Sequence, residues 1–285
     1  CMATKNLLLI LGDQLSLANP VLDSAQAGRD VVVLAEVAEE AGYVPHNRHK
    51  IALMFSAMRH FRDVLAERGF ETIYYSLDQG MQSLGQALEA ALAATGATGI
   101  QVCECGEYRL QEQMKGWQQT LSVPVQIFED SRFLSSHEDF DAWANGKKQL
   151  RMEYFYRQMR KRYNILMEAD GKPTGGKWNY DALNRKGWRA QEDIPERPVL
   201  ENDTITAAVL EQVAASFPDN PGDLAHFNFA VTEQDACAQF DWFVDNALGK
   251  FGTYQDGLAE ESPWLFHSLI SMYLNIGLLE PLPLC

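Results

Sequence analysis

The chain has 285 residues, 46% of them hydrophobic and 11% aromatic, which is enough for one large domain or two domains with a packed core. No apolar run approaches the roughly 20 residues that a membrane helix needs, and the apolar stretch at residues 7–11 lacks a signal-peptide cleavage site. The five cysteines, an odd number, fit a reducing compartment. We therefore expect a soluble, cytoplasmic protein with no membrane partner, and we expect that Cys1, which precedes Met2, is not the natural start.

The net charge of −15 argues at first against a nucleic-acid partner, but the basic residues are unevenly distributed. Residues 147–189 carry twelve of the 24 Lys and Arg residues and only four acidic residues, which gives this segment a charge of +8. A basic stripe on an acidic protein is typical of a surface that follows phosphates. The alternative is a solvated helix face beside a charged loop, and charge alone slightly favours that alternative.

Apolar runs alternate with helical periodicity in the first 130 residues. The apolar runs predict strands at residues 6–12, 30–36, 72–77, 99–103 and 123–128. Helical spacing predicts helices at residues 47–68 and 82–94, and a third helix that begins near Glu107. This alternation predicts an α/β fold with a Rossmann-like, doubly wound, parallel five-stranded sheet.

Ligands of such sheets bind beyond the carboxyl ends of the strands. The loops there are residues 12–15, 36–43 and 104–107, and they contain neither a G-x-G-x-x-G motif nor a Walker A lysine motif. A standard dinucleotide or P-loop site is therefore not expected. Cys103 and Cys105 are spaced wrongly for zinc, and we interpret them as buried thiols near a strand end. His46, His137 and His226 have no metal spacing either, so no metal site is expected.

Helical patterns replace the strands after His137. Helices are predicted at residues 138–144, 150–167, 205–216, 233–248 and 263–279, and residues 169–198 read as a long loop rich in Gly, Pro and charge. We divide the chain into an α/β domain at residues 1–135, a helix and basic linker at 136–203, and an incomplete all-helical domain at 204–285.

Several short strings, taken in order and at their spacing, carry a family resemblance. They are LLILGDQL at 8–15, HKI at 49–51, FSAMRHF at 55–61, SRFL at 131–134, MEYFYR at 152–157, GGKWNYD at 175–181, NR at 184–185, FGTYQD at 251–256 and HSLIS at 267–271. The ordered set closely resembles the deoxyribodipyrimidine photolyase-related proteins, which are iron–sulfur bacterial cryptochromes and photolyases that repair six-four photoproducts. The resemblance runs from about Asn6 to Cys285.

The resemblance implies a definite layout. An N-terminal α/β domain holds a ribityllumazine antenna, and a C-terminal helical domain holds FAD and an iron–sulfur cluster and receives the DNA lesion. Members of the family are longer than this chain, so we expect an N-terminal fragment that is inactive alone. The catalytic residues and the ligands of the iron–sulfur cluster are then expected only in the full-length protein.

The antenna site is expected at the strand ends. Glu40 and Tyr43 match positions that the family uses for its lumazine, and strand-end geometry places Asp13 and Gln14 nearby. Carboxylate, amide and phenol groups pair with the ring atoms and ribityl hydroxyls of a lumazine, while an aromatic ring packs on its flat face. The alternatives are a helix cap or turn for Asp13 and a partly buried surface aromatic for Tyr43.

The resemblance also implies FAD-binding positions in this chain. They are Tyr254, His267, Ser268, Leu269 and Ser271, the last four within a segment that resembles the one holding the flavin pyrophosphate. Hydroxyls and unpaired N–H groups at a helix start suit an anion. The alternative is an N-cap with ordinary helix packing.

The basic segment corresponds to the family linker that passes close to DNA. The residues assigned to damaged DNA are Arg157, Arg160, Lys161, Lys177, Arg185 and Lys186. They would neutralise phosphates without reading sequence. Trp178 and Trp188 either stack on the nucleic acid or anchor the loop, and we favour anchoring.

Three functions follow. The first is a light-dependent DNA repair flavoprotein; the others are a cryptochrome-type blue-light sensor and a stand-alone chromophore- or nucleotide-binding module. We also expect a partly exposed apolar surface in the last helix, which would invite dimerisation, at Leu265, Leu269, Tyr273 and Ile276.

Overall fold

A computed structural model describes residues 5–189 and 192–285, so the expectation about Cys1 falls outside the described residues. The chain forms two compact units. One contains the residues up to Asp130 with Val199–Cys237 and Met272–Leu279, and the other contains Ser131–Pro198, Ala238–Ser271 and Glu280–Cys285. The chain thus passes between the units several times, and the three-segment division made from the sequence stays a prediction.

The first unit contains a five-stranded sheet in which every pairing is parallel. Its strands are β1 (Asn6–Leu9), β2 (Val31–Ala35), β3 (Glu71–Tyr75), β4 (Gly99–Cys103) and β5 (Val125–Phe128), in the order β3-β2-β1-β4-β5. In the register, Leu7 lies opposite Val31 on one side and Ile100 on the other. The predicted α/β fold and its parallel five-stranded sheet are confirmed, although β1 ends at Leu9 rather than Gly12.

Twelve α-helices are described. They are α1 (Pro20–Asp23), α2 (Ala38–Gly42), α3 (Arg48–Glu67), α4 (Leu84–Thr95), α5 (Tyr108–Thr120), α6 (His137–Ala144), α7 (Met152–Tyr163), α8 (Thr204–Ser216), α9 (Glu233–Asn246), α10 (Leu248–Tyr254), α11 (Ser271–Ile276) and α12 (Pro281–Leu284). Helix α7 ends four residues before its predicted end, because Asn164 takes a left-handed backbone with φ of 53°.

Alternating side chains of the strands point to the two faces of the sheet. On one face, Leu7, Val31 and Ile100 pack into a cluster with Leu88 of α4 and Met114 of α5. The neighbouring residues, such as Leu8 and Val32, are also fully buried, so the second face is covered too. Strands buried on both faces read as continuous apolar runs, and this explains why the sequence revealed them.

The second unit contains helices without strands in its described residues, apart from an isolated antiparallel bridge between Met167 and Pro173. Its core includes an aromatic cluster in which Tyr254 stacks on Phe266 and Trp188 packs edge-on against both rings. Thus Trp188 anchors its loop, as expected from the sequence.

The predicted helix at residues 263–279 is wrong over most of its length. Only α11 is helical there, because Leu265 and Leu269 adopt left-handed backbone with φ of 44° and 54°. The expected exposure is also wrong: Leu265, Tyr273 and Ile276 are buried and Leu269 is half-buried. A dimer surface built on these four side chains therefore has no support.

Candidate functional site

The loops after β1, β2 and β4 meet at the carboxyl edge of the sheet. Strand β1 pairs with β2 on one side and with β4 on the other, so the chain leaves β1 at the point where the strand order reverses. In doubly wound sheets this switch point creates a crevice that binds ligands. The geometry of these loops therefore decides what the first unit is able to bind.

Gln14 joins two of these loops. Its fully buried side-chain amide donates to the carbonyl oxygens of Cys103 (3.1 Å) and Glu104 (2.8 Å), and its Oε1 accepts from the backbone N–H of Leu11 at 3.4 Å. From its place at the strand end, Gln14 is predicted to contact the antenna. In the structure its side-chain polar atoms bond the backbone instead, so Gln14 holds the two loops together.

Cys105 follows β4 and is buried, as is Cys103, which confirms the interpretation of both as buried thiols. Burial, together with the carboxylates of Asp13, Glu107 and Glu40, raises the pKa of the Cys105 thiol to about 11. Asp13 is half-buried. The three carboxylates belong to the segments after β1, β2 and β4, and each of them acts on the Cys105 thiol.

Glu40 is held through one of its two carboxylate oxygens. Arg109 Nη2 donates to Glu40 Oε2 at 2.7 Å, and Arg109 Nε donates to Glu107 Oε1 at 2.9 Å. Glu40 Oε1 is buried and has no hydrogen-bond partner among the described residues. A buried carboxylate oxygen without a partner is costly, so a ligand that donates a hydrogen bond to it would remove that cost.

Tyr43 is 48% exposed and carries a cation on one face of its ring. The Arg109 guanidinium carbon lies 4.6 Å from the ring centroid, and the His46 ring packs edge-on at 5.0 Å. Beside the ring is a cleft of about 420 Å³. The cleft is lined by Ala38, Glu39, Gly42, Tyr43, Gln82 and Ser83.

Arg109 contacts both antenna residues assigned from the resemblance, and it is not among the site residues predicted from the sequence. Its guanidinium contacts Glu39, Glu40 and Glu107 as well as Tyr43, and the hydrogen bond to Glu40 raises its pKa further above the usual range. The sequence gives only a weak indication of this role: Arg109 is a basic residue in the first turn of the helix that follows a strand-end loop.

The FAD positions lie in the second unit. Tyr254 is 1% exposed and its hydroxyl donates to Glu192 Oε1 at 2.8 Å. The His267 ring nitrogens lie 2.9 Å from the carbonyl oxygen of Trp264 and 3.0 Å from that of Gln255. The Tyr254 hydroxyl thus bonds a carboxylate, and the His267 ring faces two backbone carbonyl oxygens.

Arg197 holds the backbone at the start of the HSLIS segment. Its guanidinium donates to the carbonyl oxygens of His267 (2.8 Å) and Ser268 (3.0 Å). Leu269 has a left-handed backbone, and Ser271 begins the six-residue helix α11. The segment therefore contains a helix start only at its last residue, because the backbone turns before it becomes helical.

The basic residues of α7 gather around one tryptophan. The charged groups of Arg157, Arg160 and Lys161 lie 5.2, 5.3 and 5.4 Å from the centroid of the Trp178 ring. The favoured anchoring role of Trp178 agrees with this geometry. Asn179 supports it by donating to Glu153 Oε1 at 3.2 Å.

These basic residues differ in access. Arg160 is only 6% exposed and donates to the carbonyl oxygens of Ile165 (3.1 Å) and Leu166, so it caps the end of α7 rather than facing a phosphate. Arg157 is half-buried and pairs with Glu153. Exposed side chains remain at Lys161, Lys177, Arg185 and Lys186.

Fold and site together define a doubly wound α/β protein with a carboxylate–aromatic crevice at its sheet edge and a separate helical unit that carries basic side chains. A family model described as deoxyribodipyrimidine photo-lyase-related protein matches residues 8–229. The chain belongs to this family, which confirms the resemblance seen in the sequence.

Individual relatives agree with this membership. The chain is 43% identical over 281 residues to a (6-4) photolyase of Agrobacterium fabrum, covering 98% of this chain and 55% of that protein. It is 25% identical over 165 residues to an uncharacterized protein of Acanthamoeba polyphaga mimivirus, covering 55% of this chain and 82% of that protein.

A crystal structure of a bacterial class III photolyase from Agrobacterium tumefaciens matches with a TM-score of 0.56 at 14% identity, covering 100% of this chain and 52% of that one. At this identity the match supports the fold alone. The chain spans about half the length of the two Agrobacterium proteins. None of the helices in the described part of the chain has the length and apolar character that a bilayer crossing requires.

Proposed function

We propose that the carboxyl-edge crevice binds a ribityllumazine-type antenna chromophore, in a protein that repairs DNA photoproducts with light. The observation that carries this proposal is the state of Glu40, whose Oε2 is fixed by Arg109 while its buried Oε1 lacks a partner among the described residues. Ring N–H and ribityl hydroxyl groups are donors that suit this oxygen.

The residues present fit such a ligand. Tyr43 offers an aromatic ring that lines a cleft of about 420 Å³, which lies within the range of small-molecule sites. Asp13 is a further carboxylate from the segment after β1, and Gln14 holds the loops in place. When bound, the chromophore supplies light absorption, while the residues of the chain bind and orient it.

The described residues fit FAD and an iron–sulfur cluster less well than they fit the antenna. Tyr254 and His267 are committed to other partners and do not fit direct flavin contact. In the parts of the chain that the structure describes, no three His, Cys, Asp or Glu side chains form a group that could hold a metal ion. We therefore assign neither group to the described residues and regard both as cofactors that the complete protein would have to bind.

Damaged DNA is the proposed substrate, because the Agrobacterium relative is named a (6-4) photolyase. The exposed residues Lys161, Lys177, Arg185 and Lys186 are the proposed phosphate contacts. A cytoplasmic location is part of this proposal. A light sensor without repair activity remains the second candidate, since the same antenna crevice serves either role, and a stand-alone chromophore-binding module is the third.

Titration of the 285-residue protein with ribityllumazine, followed by absorption and fluorescence, tests the antenna site. We expect saturable binding with shifted emission. Glu40→Gln should weaken binding by about tenfold or more, because it removes a charged hydrogen-bond acceptor. Tyr43→Ala should weaken it as well. Glu112→Gln is the matched control, since Glu112 lies on α5 and pairs only with Lys115 in the contacts described.

Folded protein that does not bind the lumazine would contradict the antenna assignment. The repair proposal has a separate test on the complete gene product, with an oligonucleotide that carries one pyrimidine photoproduct. Blue-light restoration of the two pyrimidines supports repair. Unrepaired lesion under illumination, with chromophore bound, would favour the sensor.

A further inference from the structure

The crevice contains more negative than positive charge. Three carboxylates meet the single guanidinium of Arg109: Glu40 at 2.7 Å, Glu107 at 2.9 Å and Glu39 at 3.7 Å. The cluster therefore keeps a net negative charge after Arg109 is counted.

Arg109 is the side chain that would ordinarily suggest a phosphate site. Here its Nη2, Nε and Nη1 atoms each face a different carboxylate, and Tyr43 covers one face of the guanidinium at 4.6 Å. A phosphate that approached the guanidinium would therefore come close to these carboxylates as well. The positive charge of Arg109 is shared among three of the protein's own acids, which weakens its attraction for an anionic ligand.

The first two N–H groups of α2 are already bonded, although N–H groups at helix N-termini often bind anions. The backbone N–H of Ala38 donates to the carbonyl oxygen of Met81 at 3.1 Å, and that of Glu39 donates to the carbonyl oxygen of Gln82 at 3.0 Å. These two donors border the cleft, since Ala38, Glu39 and Gln82 line it. These two N–H groups are therefore not available to an anion in the cleft.

Lys50 is a second cation close to this group. Its Nζ lies 3.3 Å from His46 Nδ1, and the His46 ring packs on Tyr43. Burial lowers the pKa of His46, and the charge of Lys50 lowers it further, so the imidazole is neutral at pH 7. Lys50 is exposed, and any attraction it exerts on an anion is screened by solvent and salt.

We propose that the crevice selects an uncharged ribityl compound and rejects the same compound when its ribityl chain ends in phosphate. The proposal rests on the antenna function and adds the charge state of its ligand. A phosphate brought next to Glu39, Glu40 and Glu107 loses solvation and meets like charge, whereas hydroxyl groups donate to those carboxylates.

Riboflavin and FMN are the test pair, because they share a ring and a ribityl chain and differ only by the terminal phosphate. Their affinities for the 285-residue protein are measured by fluorescence beside that of ribityllumazine. We expect riboflavin to bind at least about tenfold more tightly than FMN at low ionic strength, with the ratio shrinking as salt is added. Glu39→Gln and Glu107→Gln should each narrow the ratio, and the control Glu112→Gln should leave it unchanged.

FMN that binds as tightly as riboflavin would overturn the charge selection while leaving the antenna site intact. FMN that binds more tightly, with the advantage lost in Lys50→Gln, would also overturn it and would identify Lys50 as a phosphate contact. Failure of all three ribityl compounds to bind the folded protein would instead reject the antenna function on which the proposal rests.

Discussion

Glu36 and Arg59 form a two-point ion pair inside the α/β unit, with Nε 2.7 Å from Oε1 and Nη2 2.9 Å from Oε2. Glu36 directly follows β2 and is fully buried. Its carboxylate also accepts from the Tyr74 hydroxyl at 2.5 Å and from the backbone N–H of Leu77 at 2.8 Å. Four donors on one carboxylate satisfy a charge that would otherwise be costly to bury.

Arg59→Met should therefore lower the free energy of unfolding by about 3–5 kcal/mol, because it leaves the Glu36 carboxylate buried with an uncompensated charge. The measurement is urea unfolding followed by circular dichroism. Lys115→Met is the control: this exposed lysine pairs with Glu112, and its loss should cost about 1 kcal/mol or less. Equal costs for the two variants would show that the Glu36–Arg59 pair does not stabilise the unit.

Stability should also fall at alkaline pH because of Tyr74. Burial raises the pKa of its hydroxyl far above the usual range, and the Glu36 carboxylate raises it further. The unfolded chain ionises this tyrosine above about pH 10, whereas the folded chain keeps it protonated. The stability linked to Tyr74 is thus present below pH 10 and lost as the pH rises, by up to about 1.4 kcal/mol per pH unit.

Unfolding measured from pH 8 to pH 11 separates this effect from that of the other tyrosines. Tyr74→Phe should be about 1–3 kcal/mol less stable than the wild type at pH 8, since it removes a hydrogen bond to a charged group. Its stability should then decline less steeply above pH 10. Tyr108→Phe, at a side chain that is 75% exposed, should follow the wild-type curve. A Tyr74→Phe slope equal to that of the wild type would contradict the linkage.

The sheet was predictable because its strands are buried on both faces and so appear as unbroken apolar runs, as at Val31–Ala35. The helical spacing of residues 263–279 led to a wrong prediction for a different reason. Their apolar spacing is genuine, but Leu265 packs into the aromatic cluster of the second unit with a left-handed backbone. Tertiary packing determines that conformation, and the local spacing of apolar residues does not reveal it.

The site was predictable only in part. Glu40 and Tyr43 came from the family resemblance, and Asp13 from the position of a strand end. Arg109 lies 69 residues from Glu40 in the chain, so only the fold brings the two together. The same holds for Gln14, because its partners at Cys103 and Glu104 lie 89 and 90 residues away. Side chains that act across a sheet edge require the topology before their partners become visible.

Gln14→Glu tests the junction between the loops after β1 and β4. The substitution keeps the size of the side chain but replaces its two N–H donors with an oxygen that faces the carbonyl oxygens of Cys103 and Glu104. We expect a loss of about 3 kcal/mol or more in unfolding free energy, because the buried carboxylate would face two carbonyl oxygens and keep only the distant N–H donor of Leu11. Gln126→Glu on β5, an exposed position, should change stability by less than about 0.5 kcal/mol. A well-tolerated Gln14→Glu would mean that the amide does not lock the two loops.

Gly222→Ala should destabilise the start of α3. Gly222 has a φ of 110°, and an added Cβ would lie 2.4 Å from Asn47 Oδ1. Asn47 caps α3 by accepting from the backbone N–H of His49 at 2.8 Å. Backbone strain and damage to the cap should together cost about 2–4 kcal/mol. Gly116→Ala within α5, where an added Cβ meets no atom within 4 Å, should be neutral or stabilise by up to about 1 kcal/mol.

Thermal unfolding of the two glycine variants provides the comparison. Similar melting temperatures would show that the Gly222 backbone relaxes without disturbing the Asn47 cap.

Charge reversal at Lys177 and Arg185 tests the DNA surface. Both side chains are exposed, and Arg185 Nε lies 3.4 Å from Asp256 Oδ2, a weak contact that a phosphate is able to replace. Lys177→Glu and Arg185→Glu should each weaken binding of the complete gene product to lesion-bearing duplex DNA. Each should also reduce the slope of log K against log salt by about 0.9, the value for one lost phosphate contact. Lys115→Glu in the α/β unit should leave both quantities unchanged.

Arg160 supplies a contrast, because it lies on α7 next to the proposed contact Lys161 and is buried. Because its guanidinium binds the carbonyl oxygens of Ile165 and Leu166, Arg160→Met should lower the stability of the second unit without changing the salt slope. A salt slope that stays constant in Lys177→Glu and Arg185→Glu would remove these residues from the DNA surface. A slope that falls in Arg160→Met would show that this guanidinium leaves its carbonyl partners to reach a phosphate.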